Sequence, residues 1–156
     1  MERDKAISLL SKYFDISELV SKAVYTKYGQ SAWRFFSTDL LETLIALRTE
    51  ILKVPLVCNN WKSGGSYTQR GFRENTCELV AEKTKKGTMY LSAHTIGKGV
   101  DLSSGKMTAE QMRTAIKKLA YKLPHKVRVE DGVSWLHIDT MTDPNQQQTV
   151  YSFKVQ

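Results

Sequence analysis

An acid set inside an apolar run leaves Val100-Asp101-Leu102 few ways to fold. Successive side chains of a strand point to opposite faces, so a short strand can bury Val100 and Leu102 while presenting Asp101 on the other side. A carboxylate held there needs a partner, because an isolated buried charge is costly. His94 precedes it by seven positions, with Gly97 and Gly99 between them to let the chain turn sharply. A second histidine, His137, lies among alternating apolar residues in Ser134-Trp135-Leu136-His137-Ile138-Asp139. Two neutral imidazoles and a carboxylate are the ligands of a zinc ion that keeps a position open for water or substrate. His94, Asp101 and His137 therefore read as three ligands of a catalytic zinc. The bland alternative makes His94 a loop residue, Asp101 a turn or cap, and His137 a strand histidine satisfied by a neighbour.

With 156 residues, 41% of them hydrophobic, the chain has room for one domain, 1–156, with its own core. No apolar run reaches the length of a membrane span, so no membrane insertion is expected. Met1-Glu2-Arg3-Asp4-Lys5 carries both signs of charge and no signal-peptide core follows, which predicts synthesis and folding in a cytoplasm. Cys58 and Cys77 are too few for a disulfide framework and read as reduced, buried thiols. A net charge of +7 invites a polyanion. The basic residues are dispersed and nothing resembles a recognition helix or an RNA-binding motif, so no nucleic-acid partner is expected. Bacterial cell wall, rich in carboxylates and phosphates, matches the charge equally well. A monomer is expected.

Along the chain, 2–13 reads as a helix, and Asp15 or Ser17 caps a second helical piece that Gly29 stops. The clearest helical stripe runs over 38–53, from Thr38 and Asp39 to the stop at Pro55. The helical part thus covers about 1–54 and a sheet part about 55–156. Leu56-Val57-Cys58 reads as a strand. The polar loop after it carries Asn60, Tyr67, Arg70 and Arg73, groups able to hold a carboxylate. Residues 74–86 look like a surface excursion. Thr108 and Gln111 have capping-box spacing ahead of an apolar helical face, closed by Pro124. His125 reads as an exposed loop residue. Strands at 126–130 and 133–140 join at Asp131-Gly132, a two-residue hairpin signal, and Val150, Tyr151 and Phe153 can add an edge strand. The class is α+β, with N-terminal helices packed on a small, mainly antiparallel sheet.

The pattern Ser92-x-His94-x-x-Gly97-x-x-x-Asp101, followed by Trp135-x-His137-Ile138-Asp139, resembles a family of zinc peptidases. The family is typified by D-alanyl-D-alanine carboxypeptidases and phage L-alanyl-D-glutamate endopeptidases, and shares a fold with the hedgehog signalling domain. The resemblance covers roughly residues 14–140, with Gly71-Phe72-Arg73 a looser counterpart of a Ser-Gly-Tyr-Arg-like loop. It implies a hedgehog-like fold, zinc, and hydrolysis of peptidoglycan stem peptides or cross-links by a phage or prophage type of wall enzyme. Such an enzyme acts at the wall after release, or travels on a virion. Many members carry an acidic base three residues before the second histidine, where this chain has Ser134. A two-residue turn at Asp131-Gly132 would pair Glu130 with Val133 and put Glu130 on the face of His137. Glu130 is then the candidate base, and Asp139 the partner that orients a ligand histidine. Arg73 or Arg70 would grip a substrate carboxylate, with Tyr67 and Ser92 beside it. The competing expectation, kept open by Ser134, is a non-catalytic virion or wall-binding module.

Overall fold

Alternation along four short strands builds the sheet and gives it two unlike faces. The computed structural model describes residues 1–155. Its strands are β1 (Gly99–Leu102), β2 (Val127–Glu130), β3 (Leu136–Asp139) and β4 (Val150–Phe153), in the order β1-β3-β2-β4. β3 is antiparallel to both β1 and β2, while β4 runs parallel to β2, so the sheet is mixed. The register opposes Asp101 to His137, Arg128 to Asp139 and to Tyr151, and Glu130 to Phe153. Opposed residues share a face and alternate residues return to it. One face therefore carries Val100, Leu102, Val127, Val129, Leu136 and Ile138, all fully buried. The other carries Asp101, His137, Asp139, Arg128 and Glu130.

Five helices complete an α+β fold: α1 (Arg3–Leu10), α2 (Lys22–Tyr28), α3 (Thr38–Ala46), α4 (Glu78–Lys85) and α5 (Ala109–Lys118). α5 begins at a capping box in which Thr108 and Gln111 satisfy each other's backbone N–H groups, and its Met112 and Ile116 enter the core. α1 packs on α3, and the core continues from Leu10, Leu40 and Leu44 to Val100 and Ile138. Each large side chain buried there contributes roughly 1.5–3 kcal/mol; truncating Leu44 to Ala would cost about 2–5 kcal/mol. Among the described residues no helix is long and apolar enough to cross a membrane.

Several local expectations change. Ser21 caps α2 and Ser37 caps α3, each side-chain oxygen accepting a helix N–H, whereas Asp15 caps only a single turn at Ile16–Glu18. α3 ends at Ala46 and continues as a wider π-helical turn over Leu47–Ile51. Leu56-Val57-Cys58 forms no strand: only Val57 bridges to Ser103, because the next residue, Asn59, is drawn to the N-terminal segment by Glu18 O and Val20 O. Residues 74–86 contain α4, which the mixed charge concealed. Its Leu79 N–H is capped from outside by the Gln69 side chain, at 2.8 Å. The β2–β3 connection spans five residues rather than a two-residue turn. Buried Arg113 explains it, donating to the carbonyls of Trp135 at 3.0 Å and Val133 at 3.1 Å and so holding the loop open. The shift moves register by an even number of residues, so Glu130 still faces the side of His137.

Candidate metal centre

The polar sheet face supplies two of the three candidate ligands, and a tight turn supplies the third. Five backbone hydrogen bonds hold that turn: Thr95 N–H to Ser92 O, Lys98 N–H to Ala93 O, Thr140 N–H to Lys98 O, Arg73 N–H to His94 O, and Ser37 N–H to Gly97 O. Gly97 has φ +68°, and a Cβ there would lie 1.8 Å from Phe35 O, so the chain needs glycine for both reasons. Gly71 is as constrained, since a Cβ would sit 1.9 Å from Leu19 O. Its carbonyl lies 2.9 Å from His94 Nδ1. A carbonyl only accepts, so Nδ1 carries the proton and Nε2 keeps its lone pair.

That lone pair points inward. His94 Nε2 is 3.4 Å from Asp101 Oδ1, and His137 Nδ1 is 2.9 Å from the same oxygen. One ligand atom from each of the three residues lies within 4.8 Å of the others, and all three side chains are buried. Donors bonded at about 2.0–2.2 Å to a tetrahedral ion stand about 3.3 Å from one another. The donor set and its spacing fit a divalent ion with nitrogen and oxygen ligands, and the group can hold one.

Outer contacts fix each ligand. His137 Nε2 is 2.7 Å from Asp139 Oδ2, which leaves Nδ1 toward Asp101. Asp139 is itself fully buried and receives a two-pronged grip from Arg128, Nε to Oδ1 at 2.9 Å and Nη2 to Oδ2 at 3.0 Å. Arg73 Nη2 takes the far oxygen of Asp101 at 3.4 Å, while Arg73 also donates to Gln69 O and to the Tyr90 hydroxyl. Burial pushes the Asp101 carboxyl upward, but hydrogen bonds with His137 and His94 outweigh it and hold the pKa well below the usual range. Asp139 is lowered in the same way by His137 and Arg128. For His137, burial disfavours the charge, yet its contacts with Asp101 and Asp139 win and raise the pKa to about 9. Without a metal the imidazole is thus held as a cation between two carboxylates; a bound metal would take the place of its proton.

Counted as charges, Asp101 and Asp139 are balanced by Arg73 and Arg128. A divalent ion would leave the centre net positive, suited to an anionic partner. The centre opens into a cleft of about 520 Å³ whose walls include Arg73, Ser92, Glu130 and Trp135. Ser92 Oγ is buried there without a hydrogen-bond partner. Glu130 stands on the cleft wall, whereas Ser134 is exposed in the β2–β3 loop. Arg70 lies beside the centre rather than in it. Its guanidinium lies 3.6 Å above the Tyr67 ring and donates to Ser103 Oγ at 2.6 Å. Both Arg70 and Tyr67 line a neighbouring cleft with Arg73 and Asp101.

Sequence reasoning missed Arg128, Tyr90 and Phe153. The Phe153 ring meets His137 edge-on at 5.8 Å and carries the Arg128 guanidinium 4.6 Å above it. The available signal was parity: Arg128 stands two residues from Glu130 and shares its face. A second group, Asp39, Glu42 and His125, also brings potential ligand atoms within 4.8 Å, half-buried on the other side of the sequence. His125 is therefore not a free loop residue: it hydrogen-bonds Glu42 across 83 positions. Cys58 and Cys77 are buried free thiols, and burial pushes both pKa values up. No protein-family model matches the chain, and neither a curated protein nor a solved structure matches it significantly.

Proposed function

We propose that this chain is a zinc-dependent peptidase of the D-alanyl-D-alanine carboxypeptidase and L-alanyl-D-glutamate endopeptidase kind, with a hedgehog-like fold, acting on bacterial peptidoglycan peptides. The observation that carries the proposal is the convergence of His94 Nε2, Asp101 Oδ1 and His137 Nδ1 at the floor of an open cleft. Zinc held by those atoms would supply a Lewis acid for the scissile carbonyl and draw the pKa of water toward neutrality.

The chain's own groups do the rest. Gly71 O fixes the proton of His94 on Nδ1, and Asp139, clamped by Arg128, turns His137 so that Nδ1 faces inward. Arg73 holds one oxygen of Asp101 and leaves the other directed at the histidines. Glu130, on the cleft wall, is the proposed base: it takes a proton from the attacking water. Water adds to the carbonyl carbon, the C–N bond breaks, and the same carboxyl returns the proton to the departing amine. Three N–H groups of Arg73 are engaged, and a guanidinium has donors beyond those for a carboxylate of the substrate. Ser92 Oγ, buried and unpaired, offers a further hydrogen bond. The place of action is the wall, after synthesis in a cytoplasm and release, or from a virion.

Purified protein incubated with muropeptides, with and without a chelator, tests the proposal through products read by mass spectrometry and metal content read in parallel. Chelator-sensitive cleavage is expected. A second function, wall binding without catalysis, draws on Ser134, which occupies the sequence position, three before His137, where the family that the chain resembles carries an acidic base; retention on cell wall with no product from several wall chemistries would favour it.

A further inference from the structure

A second cleft, of about 570 Å³, lies beside the one that holds the centre. Small-molecule sites occupy roughly 300–1,000 Å³. Arg128 and Met141 border both clefts. The register that opposes Arg128 to Asp139 also opposes it to Tyr151, so Tyr151 stands on the polar sheet face, on β4. Tyr151 and Met141 are both exposed, and three carboxamides, Asn145, Gln146 and Gln148, stand around them.

Hydrogen bonds fix this wall in place. Gln146 is only 7% exposed. Its side-chain nitrogen donates to Val127 O at 3.1 Å and to Gln148 O at 2.9 Å, which commits both N–H groups and leaves the side-chain carbonyl to accept. Lys126 Nζ holds the Gln146 backbone carbonyl at 2.6 Å, and Asp143 Oδ1 turns the chain by accepting the Asn145 N–H at 2.6 Å. Arg128 gives Nε and Nη2 to Asp139, so its Nη1 hydrogens remain for a ligand. The Arg128 charge is spent on Asp139, and Asp143 in the wall opposes an anion. The cleft therefore offers fixed donors and acceptors around an apolar patch, with no net pull on a charged ligand.

We infer that this cleft binds an uncharged saccharide, with the C–H face of a pyranose ring on Tyr151 and its hydroxyl groups against the carboxamides and Arg128 Nη1. A hydroxyl donates and accepts at once, as a carboxamide does. The hydroxyl rim of a pyranose surrounds an apolar face, and the electron-rich face of an aromatic ring suits those C–H groups. A docked peptide would want apolar pockets for its alternate side chains; among the described residues Met141 is the single apolar aliphatic side chain in this wall. Binding stands apart from the peptidase reading. Only its consequence for the rate rests on that reading, the saccharide then being the glycan that carries the cleaved peptide.

Titration of the whole chain with tri-N-acetylchitotriose, followed by calorimetry and by amide NMR shifts, tests the site, with a sugar-free wall peptide as the competing probe. Saturable sugar binding is expected, with shifts at Asn145, Gln148 and Tyr151. Tyr151→Ala or Gln148→Ala, both at exposed positions, should weaken it at least about threefold without moving the melting temperature. No saturable sugar binding, or an affinity that both variants leave unchanged, overturns the inference. Shifts at those three residues from the peptide and none from the sugar overturn it in favour of a peptide subsite. On a disaccharide-linked peptide kcat/KM should exceed that on the same peptide without sugar by at least about tenfold, since contacts remote from the scissile bond contribute to the rate. Tyr151→Ala should narrow that ratio. Equal kcat/KM on the two overturns the link between the cleft and the substrate. No product from either overturns the peptidase reading, while the titration decides the saccharide site by itself.

Discussion

Among the described residues two groups of histidine and carboxylate side chains come together, yet they are built differently. In both, the candidate ligand atoms lie within 4.8 Å of one another. Around His94, Asp101 and His137 every ligand has an outer partner, and those partners dictate which atom faces inward. Around Asp39, Glu42 and His125 the carboxylate of Glu42 is taken by the Met1 ammonium at 2.8 Å and by His125, while half the Asp39 side chain is open to solvent. The amine and the histidine lower the Glu42 carboxyl as an ordinary ion pair does. Proximity of ligand types is common to both; fixed orientation beside a cleft belongs to one. Hydrogen bonds behind the side chains, more than the side chains themselves, thus mark the first group as the better candidate for a metal ion.

The largest effects are expected from the candidate ligands. His94→Ala or His137→Ala should lower metal affinity by more than about 100-fold, exceeding the loss of an outer partner, and abolish cleavage. His125→Ala should leave metal stoichiometry unchanged. Titration of the three variants with zinc decides it, and a fall in stoichiometry with His125→Ala would reverse the assignment. Glu130→Gln should keep the metal and cut kcat by about 10²–10⁴. Normal turnover in that variant would remove Glu130 as the base.

Smaller effects sharpen the contrast. Asp139→Asn or Arg128→Gln should weaken metal binding about 10–100-fold by freeing the His137 ring, whereas Glu42→Gln should not change it. Metal competition with a chromophoric chelator reads both.

The pH profile of the metal-free protein separates the groups again. His137, raised to about 9, adds stability that is fully present below its unfolded pKa of about 6.5 and is lost as pH rises through about 9. Asp101 and Asp139, both lowered, add stability present above about pH 4 and lost as pH falls through their folded values. Melting temperature with chelator should therefore fall between pH 6.5 and 9, while the increase on adding zinc should grow over the same window, because binding displaces a proton. A flat profile in the chelated protein would mean that His137 is not held as a cation. Least affected is His125→Ala, expected to cost under about 1 kcal/mol, a melting shift of at most about 2–4 °C.

Local signals served some elements well. The capping box at Thr108 and Gln111, the stop at Gly29 and the alternation around Asp101 each rest on contacts a few residues apart, and the structure has them. α4 was hidden because its cap comes from Gln69, and the β2–β3 loop was misjudged because Arg113, seventeen or more residues before it, binds its carbonyls. Arg128 escaped notice for the same reason: its worth lies in Asp139, eleven positions away on the opposed strand.

The sequence alone carried the periods, the capping box of α5 and the chemical types: two imidazoles and one acid placed where strands and a glycine turn could present them. It also determined that Glu130 and His137 share parity, which survived the wrong turn because an even change of register preserves the face. Only the tertiary structure decided that Asp101 and His137, 36 positions apart, stand 2.9 Å from each other. It alone chose the inward nitrogen of each ring, added a parallel fourth strand, and set the centre in a cleft. Periodicity and capping depend on neighbours along the chain, whereas ligand orientation depends on groups that meet only when distant segments close on one core.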